Sequence, residues 1–366
     1  MTPRRAGLYA TVALVFASTT PAQSQGITRE ELRIPMTIAG SRGLEAVIVK
    51  PEGGGRFPLV LISHGAPRKP DERPNMTPLA FVPQASEFAR RGFAAVVVMR
   101  RGYGNSGGDY AESNGNCRDP DYLRSAAASI ADLRAALAHL GTRPDVDTSR
   151  IVAVGQSAGG FASVAFAAEQ PSGLRAVINF AGGRGSQADD EVCMPDRLVE
   201  AYRTFGRNAR VPMLWVYAEN DHYFAPPLAE RFRSAFVAGG GIVDFIRAPA
   251  FGEDGHRLFP AAAGIPKWTP YVDDFLKRHG LVNNISLAAP ATTLKPPTHL
   301  SASGQQAFAD YLVAAPHKAF AAGARNGFAW RTGRRTIEEA KAATLEACAK
   351  FAPDCRLVAA DDAAVP

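Results

Sequence analysis

The sequence predicts an α/β fold, with a mostly parallel central sheet flanked by helices and a small C-terminal α+β module after it. Two observations predict this. From about Thr28 to Gly280, β-branched apolar runs alternate with Ala-rich stretches whose apolar residues recur every three or four positions, as strands alternate with covering helices. Between Leu281 and His299 that pattern lapses into Asn283-Asn284, Pro290 and Lys295-Pro296-Pro297, a linker composition, and a short Cys-containing segment follows.

Strands are expected at 46–50, 59–63, 94–99, 151–155, 176–180, 213–218 and 242–247. The runs at 59–63, 94–99, 151–155 and 213–218 are almost continuously apolar, which suits strands buried on both faces at the centre of the sheet. Helices are expected at 86–91, 123–140, 158–169, 228–239 and 271–279, with Gly280 as the stop of the last. In the C-terminal segment, Thr336 and Glu339 form a capping-box pattern at the start of a helix, and a strand is expected at 356–360. The expected organisation is a signal peptide at 1–22, an α/β domain at 23–280, a linker at 281–299 and the small module at 300–366.

The composition, 46% hydrophobic and 21% charged over 366 residues, is that of an ordinary globular protein and excludes disorder, collagen and a membrane bundle. Arg4 and Arg5, the apolar run over 8–17 and small residues up to Ala22 read as a cleavable export signal, too short to span a bilayer. The location implied is periplasmic or extracellular, with no membrane association after cleavage. The formal charge of +6 falls to +4 when Arg4 and Arg5 leave, and the remaining Lys and Arg are scattered, so nucleic acid is not an expected partner. Four cysteines in an exported chain favour disulfides. Three pairings are possible; proximity along the chain joins Cys348 to Cys355 and leaves Cys117 for Cys193.

The chemistry concentrates at Gly155-Gln156-Ser157-Ala158-Gly159, where an apolar strand turns into an Ala/Gly-rich helix. Such a turn holds a serine in a strained conformation at the sheet edge, needs small neighbours, and points helix N-terminal amides at developing negative charge. With Asp147-x-x-Arg150-Ile151 before it, His64-Gly65 after an earlier strand and Arg101-Gly102-Tyr103-Gly104-x-Ser106-x-Gly108 after the next, the chain resembles the α/β-hydrolase superfamily, and its dienelactone hydrolase-like family in particular, over about residues 45–280. The resemblance implies an α/β-hydrolase fold and a serine nucleophile at Ser157.

A nucleophilic serine needs a base, and seven histidines are available. His139 and His279 lie at helical positions, His299 and His317 in the linker or module, and His64 in the loop that the resemblance assigns to the oxyanion hole. His222 directly follows the best acid candidate. His256, in a Gly-flanked loop after the last strand of the domain, remains, and the family order of serine, acid, histidine is met there. Asp221, just beyond the strand at 213–218, is the expected acid, with Glu219, Asp244 and Asp254 as rivals. The resemblance implies oxyanion donors at the backbone of Ala158 and Ala66. Pro67 after Ala66 departs from the His-Gly-Gly-Gly form of related esterases. Tyr103, Phe224 and Trp268 are candidate substrate-binding aromatics. Asp189-Asp190-Glu191 lacks partnering histidines, so no metal is expected, and no cofactor is required.

The expected activity is hydrolysis of small carboxylic esters. Two alternatives stand beside it: a serine peptidase of the prolyl-oligopeptidase kind, although no propeller repeats are present, and a non-catalytic binding protein on a hydrolase scaffold. The C-terminal segment weakly resembles small cysteine-containing modules of bacterial exported proteins, which implies no chemistry. Nothing in the sequence sets the oligomeric state.

Overall fold

The computed structural model describes residues 26–289 and 292–365. The expected signal peptide and its cleavage point after Ala22 lie outside them. An eight-stranded sheet organises the chain. Its strands are β1 (Ile27–Ile34), β2 (Leu44–Pro51), β3 (Phe57–Ser63), β4 (Ala94–Val98), β5 (Val146–Gln156), β6 (Leu174–Phe180), β9 (Met213–Ala218) and β10 (Val243–Ala248); the hairpin β7 (Ser186–Ala188) and β8 (Glu191–Val192) stands apart from it. The order is β1-β2-β4-β3-β5-β6-β9-β10, with β1 and β2 antiparallel to their neighbours and the rest parallel.

Every residue of β3 and β4 is buried, because helices cover both faces and a polar side chain there would lose water without a partner. One face packs Leu59, Leu61, Val96 and Ala153 against α2 (Tyr122–Leu140) and α3 (Ala158–Ala168); alternate residues Val60, Ile62, Val97 and Val154 pack on the other face with α1 (Val82–Arg90) and α6 (Ile265–Arg278). Near the far edge, α4 (Pro195–Asn208) and α5 (Pro226–Ala238) pair through a stack of Tyr202 on Phe232.

All seven expected strands form. β1 is an addition to them: its TREELR run is mostly exposed, and only Leu32 and Ile34 turn inward. The linker expected at 281–299 is docked over its first part. Asn283 Nδ2 donates to Arg91 O at 3.0 Å, the Leu287 amide donates to Arg90 O at 2.9 Å, and Ile285 packs on the core.

The C-terminal module comprises α7 (Ala302–Leu312), α8 (Ile337–Ala349) and an antiparallel sheet ordered β12-β11-β13-β14, from β11 (Ala319–Ala322), β12 (Phe328–Arg331), β13 (Arg356–Ala360) and β14 (Ala363–Ala364). Phe308, Tyr311 and Phe320 form its small core. The capping box at α8 is half realised: Thr336 Oγ1 accepts from the Glu339 amide at 3.1 Å, while Glu339 reaches back to Arg335 rather than to Thr336. Arg335 also ties the module to the large domain, donating to Glu45 Oε1 at 2.9 Å and to Met76 O at 2.7 Å. Disulfides join Cys117 to Cys193 and Cys348 to Cys355, the pairing expected from chain proximity.

Candidate active site

Ser157 stands between β5 and α3 with φ 56° and ψ −123°, in the left-handed region that a residue with a side chain occupies only under constraint. The constraint comes from hydrogen bonds on either side. The Ser157 amide donates to Phe180 O at 3.0 Å, and its carbonyl accepts from Gly183 and Phe161. The flanking glycines are there for space rather than for unusual φ. A Cβ on Gly155 would overlap the Gly159 carbonyl, and one on Gly159 would overlap that of Ser63. Ser157 is consequently only 5% exposed, at the carboxyl edge of the sheet.

Asp221 and His256 come together on the far side of β6. His256 Nδ1 lies 3.1 Å from Asp221 Oδ2 and 3.2 Å from Oδ1. Oδ1 also accepts from the Tyr223 and Phe224 amides at 2.8 and 2.9 Å, so the carboxylate is fixed before the imidazole is considered. Asp254, the rival nearest in sequence, serves the backbone instead, where its Oδ1 caps the loop by accepting from the His256 and His222 amides. Glu219 faces Arg247, and Asp244 pairs with Arg278, both away from the imidazole. Asn220, which the sequence does not single out, locks the two loops together by accepting from the Phe251 amide at 2.9 Å and from Gly255 through its own carbonyl at 3.0 Å. Its only sequence signal is its place beside Asp221.

Among the described residues no hydrogen bond joins the Ser157 hydroxyl to His256; Gln156 bridges instead, its Nε2 donating to the His256 carbonyl at 3.4 Å. Contacts of this kind are often loose without substrate and close when it binds. The loop after β3 brings Gly65 against the elbow, where a Cβ would sit 3.1 Å from Ser157 Cβ. The amides of Ala66 and Ala158 find no acceptor among the described residues, so both are available to an anionic oxygen beside Ser157.

A buried ionic cluster holds that loop from below. His64 accepts from the Arg100 amide at Nε2, 3.1 Å away, so its proton is on Nδ1, which donates to Gly65 O at 2.6 Å. Burial, reinforced by the Arg100 charge, pushes the His64 pKa well below its usual value and keeps the ring neutral. With the Gly65 carbonyl so held, the trans peptide directs the Ala66 N–H the opposite way. Arg100 also donates to Ser63 Oγ at 2.7 Å and to His64 O at 2.9 Å, and it pairs with Glu112. Glu112 is shared with Arg184 at 2.6 Å and accepts from Ser129 Oγ at 2.6 Å and Tyr103 Oη at 3.1 Å. Burial alone would raise the Glu112 pKa, but Arg100 and Arg184 outweigh it and hold the carboxyl far below the usual range. Neither Glu112 nor Arg184 carries a sequence signal, since each lies in a polar loop whose burial depends on tertiary packing.

The three aromatics expected at the substrate are placed as scaffold. Tyr103 is fully buried, edge-on to His64 at 4.6 Å, with its hydroxyl committed to Glu112. Trp268 belongs to α6, which starts at Ile265 rather than at 271, and its indole packs against Phe88, Phe180 and Phe259 in the core. Phe224 is buried 5.7 Å from the His256 ring, against Gly183.

Strand order decides the fold: an eight-stranded sheet with the second strand antiparallel, the third and fourth exchanged, and a strained serine at the turn after the fifth. The chain has an α/β-hydrolase fold. Residues 40–209 match the family model of the X-Pro dipeptidyl-peptidases of the S15 family. Similar solved structures include a putative dienelactone hydrolase from Klebsiella pneumoniae subsp. pneumoniae, at 17% identity over 70% of this chain and 99% of that one, with a TM-score of 0.48. A thermophilic esterase from Thermogutta terrifontis is 20% identical over 72% of this chain and 96% of its own, with a TM-score of 0.49. An acylaminoacyl peptidase from Pyrococcus horikoshii is 17% identical over 74% of this chain and 43% of its own, at 0.48. Comparison with curated proteins finds no match. Among the described residues, no helix is long and apolar enough to cross a membrane.

Proposed function

We propose that the chain is an exported serine hydrolase that cleaves carboxylic esters through an acyl-enzyme on Ser157, with His256 as general base and Asp221 as the acid that orients it. The observation that carries this reading is the setting of Ser157: a left-handed serine at the β5–α3 turn, beside two amides that have no acceptor among the described residues, in a sheet whose next loops bring His256 onto Asp221.

In the proposed cycle His256 Nε2 takes the Ser157 proton as Oγ attacks the ester carbonyl carbon, and the carbonyl oxygen, now an anion, accepts from the Ala66 and Ala158 amides. Collapse expels the alcohol, which leaves with the proton held by His256. Water then attacks the acyl-enzyme, giving its proton to His256, and the acid departs as Ser157 Oγ is reprotonated. Asp221 keeps the proton on Nδ1 and opposes the imidazolium charge. None of these steps requires a cofactor.

A peptidase reading has one specific observation in its favour, the match of residues 40–209 to a family described by X-Pro dipeptidyl-peptidase activity. The two are separated by assaying p-nitrophenyl esters of graded acyl length beside Xaa-Pro p-nitroanilides. Turnover of esters that exceeds that of anilides and disappears in Ser157→Ala is the expected result; preferential anilide cleavage would replace the esterase reading with the peptidase one. Export is supported by the sequence of residues 1–22 and by the two disulfides, which persist in oxidising compartments. Mass spectrometry of the exported protein should place its first residue near Gln23.

A further inference from the structure

One side chain outside the proposed triad ties its own loop, the one after β3, to two others, the β7–β8 hairpin and the loop after β9. Arg68 follows Pro67 in the loop that carries Ala66. Its Nε donates to Ser186 Oγ at 3.1 Å, Nη1 pairs with Asp189 Oδ1 at 2.8 Å, and Nη2 donates to Ala188 O at 3.0 Å and His222 O at 3.2 Å. The guanidinium lies 3.7 Å from the centre of the Tyr223 ring. On its other face, Tyr223 stacks on His256, with ring centres 3.9 Å apart and planes 9° from parallel.

We propose, on the footing of the hydrolase reading above, that Arg68 is a positioning residue: it clamps Tyr223 flat against His256 and thereby fixes the plane of the imidazole. Asp221 restrains the ring at Nδ1 alone, and rotation about the χ2 bond of histidine is soft. A hydrogen bond at one ring atom leaves the direction of Nε2 free to swing; a stacked plane on one face removes that freedom. Tyr223 can serve because its own amide is bonded to Asp221 Oδ1, so acid and stacking ring move together. The clamp needs a planar group with donors on several sides, which guanidinium supplies and ammonium does not. Asp189 neutralises it, so it adds little net charge above an imidazole that must become cationic. The β7–β8 hairpin, at whose tip Asp189 lies, thus acts as the anchor of the clamp.

The test uses the full chain and p-nitrophenyl acetate. Arg68→Met and Tyr223→Leu should each lower kcat by about ten- to a hundred-fold with KM little changed, the range expected when a reacting group is misplaced by an ångström or less. Arg68→Lys should fall nearly as far as Arg68→Met, and Tyr223→Phe, which keeps the ring, should recover most of the rate. The His256 Nδ1 proton resonance in a one-dimensional NMR spectrum should broaden or vanish in Arg68→Met. A folded Arg68→Met protein with wild-type kcat would overturn the inference. If that variant does not fold, the Tyr223 pair decides, and equal rates in Tyr223→Leu and Tyr223→Phe would overturn it. Wild-type protein that turns over no ester at a Ser157-dependent rate would overturn the hydrolase reading itself, and the inference with it.

Discussion

The carboxylate of Asp221 meets His256 Nδ1 at 3.1 Å while two backbone amides hold the same carboxylate from behind. A residue so placed can orient the proposed base and oppose the charge it would gain, whereas Asp254 supports only the loop backbone. Asp221→Asn should therefore keep the fold and favour the wrong histidine tautomer, lowering kcat by about 10⁴, equivalent to roughly 5 kcal/mol of transition-state stabilisation. Asp254→Asn, which retains an acceptor oxygen, should cost far less. Steady-state ester kinetics on the two variants check the assignment, and the reverse ranking would move the acid to Asp254.

Among the described residues, Glu112 is the only carboxylate shared by Arg100 and Arg184, and all three are buried. Neutralising it leaves two guanidiniums facing each other away from water. Glu112→Gln should destabilise the protein by about 3–5 kcal/mol, read from the urea midpoint at neutral pH, because breaking a buried pair costs more than the pair is worth. The same variant should loosen the His64–Gly65 loop and reduce kcat in whatever folded fraction remains.

His64 gives the stability a definite pH dependence. Burial and Arg100 lower its native pKa, so the unfolded chain binds a proton near pH 6.5 that the native state does not. Stability then rises with pH in that region and is lost as the pH falls below about 6.5, by at most about 1.4 kcal/mol per unit for one proton, down to the native pKa. Glu112, whose native pKa is depressed, adds a second loss that begins only below its unfolded value of about 4.5. Thermal melts between pH 7 and 5 should show a falling Tm, and His64→Gln should flatten that slope.

Much of this site can be read in the chain because its chemistry sits on the most regular part of the fold. β3, β5 and β9 are unbroken apolar runs over the segments that lead into the site, and Ser63-His64, Gln156-Ser157 and Asn220-Asp221 lie at or just past their ends. α4 is harder to see although Pro195 starts it and Leu198, Ala201, Tyr202 and Phe205 mark its inner face, because its polar remainder resembles a loop. α6 begins six residues before the expected 271. Pro270 suggests a break there, yet the helix carries it, and this extension is what places Trp268 in the core and not at the site. Glu112, Arg184 and Arg68 are illegible for a different reason. Glu112 and Arg184 pair with each other across 72 residues and Arg68 reaches a partner 154 residues away, and no local pattern announces a charge that tertiary structure will bury or clamp.

The central claim is that Ser157 is the nucleophile and that its neighbours activate it. Reaction of the full chain with a fluorophosphonate, followed by peptide mapping, tests it most directly. The account predicts one adduct per chain, on Ser157, forming at least about a hundred-fold more slowly in a His256→Ala variant, on the order of the contribution of a positioned general base. An adduct on a different serine, or none on folded wild-type protein, would contradict it.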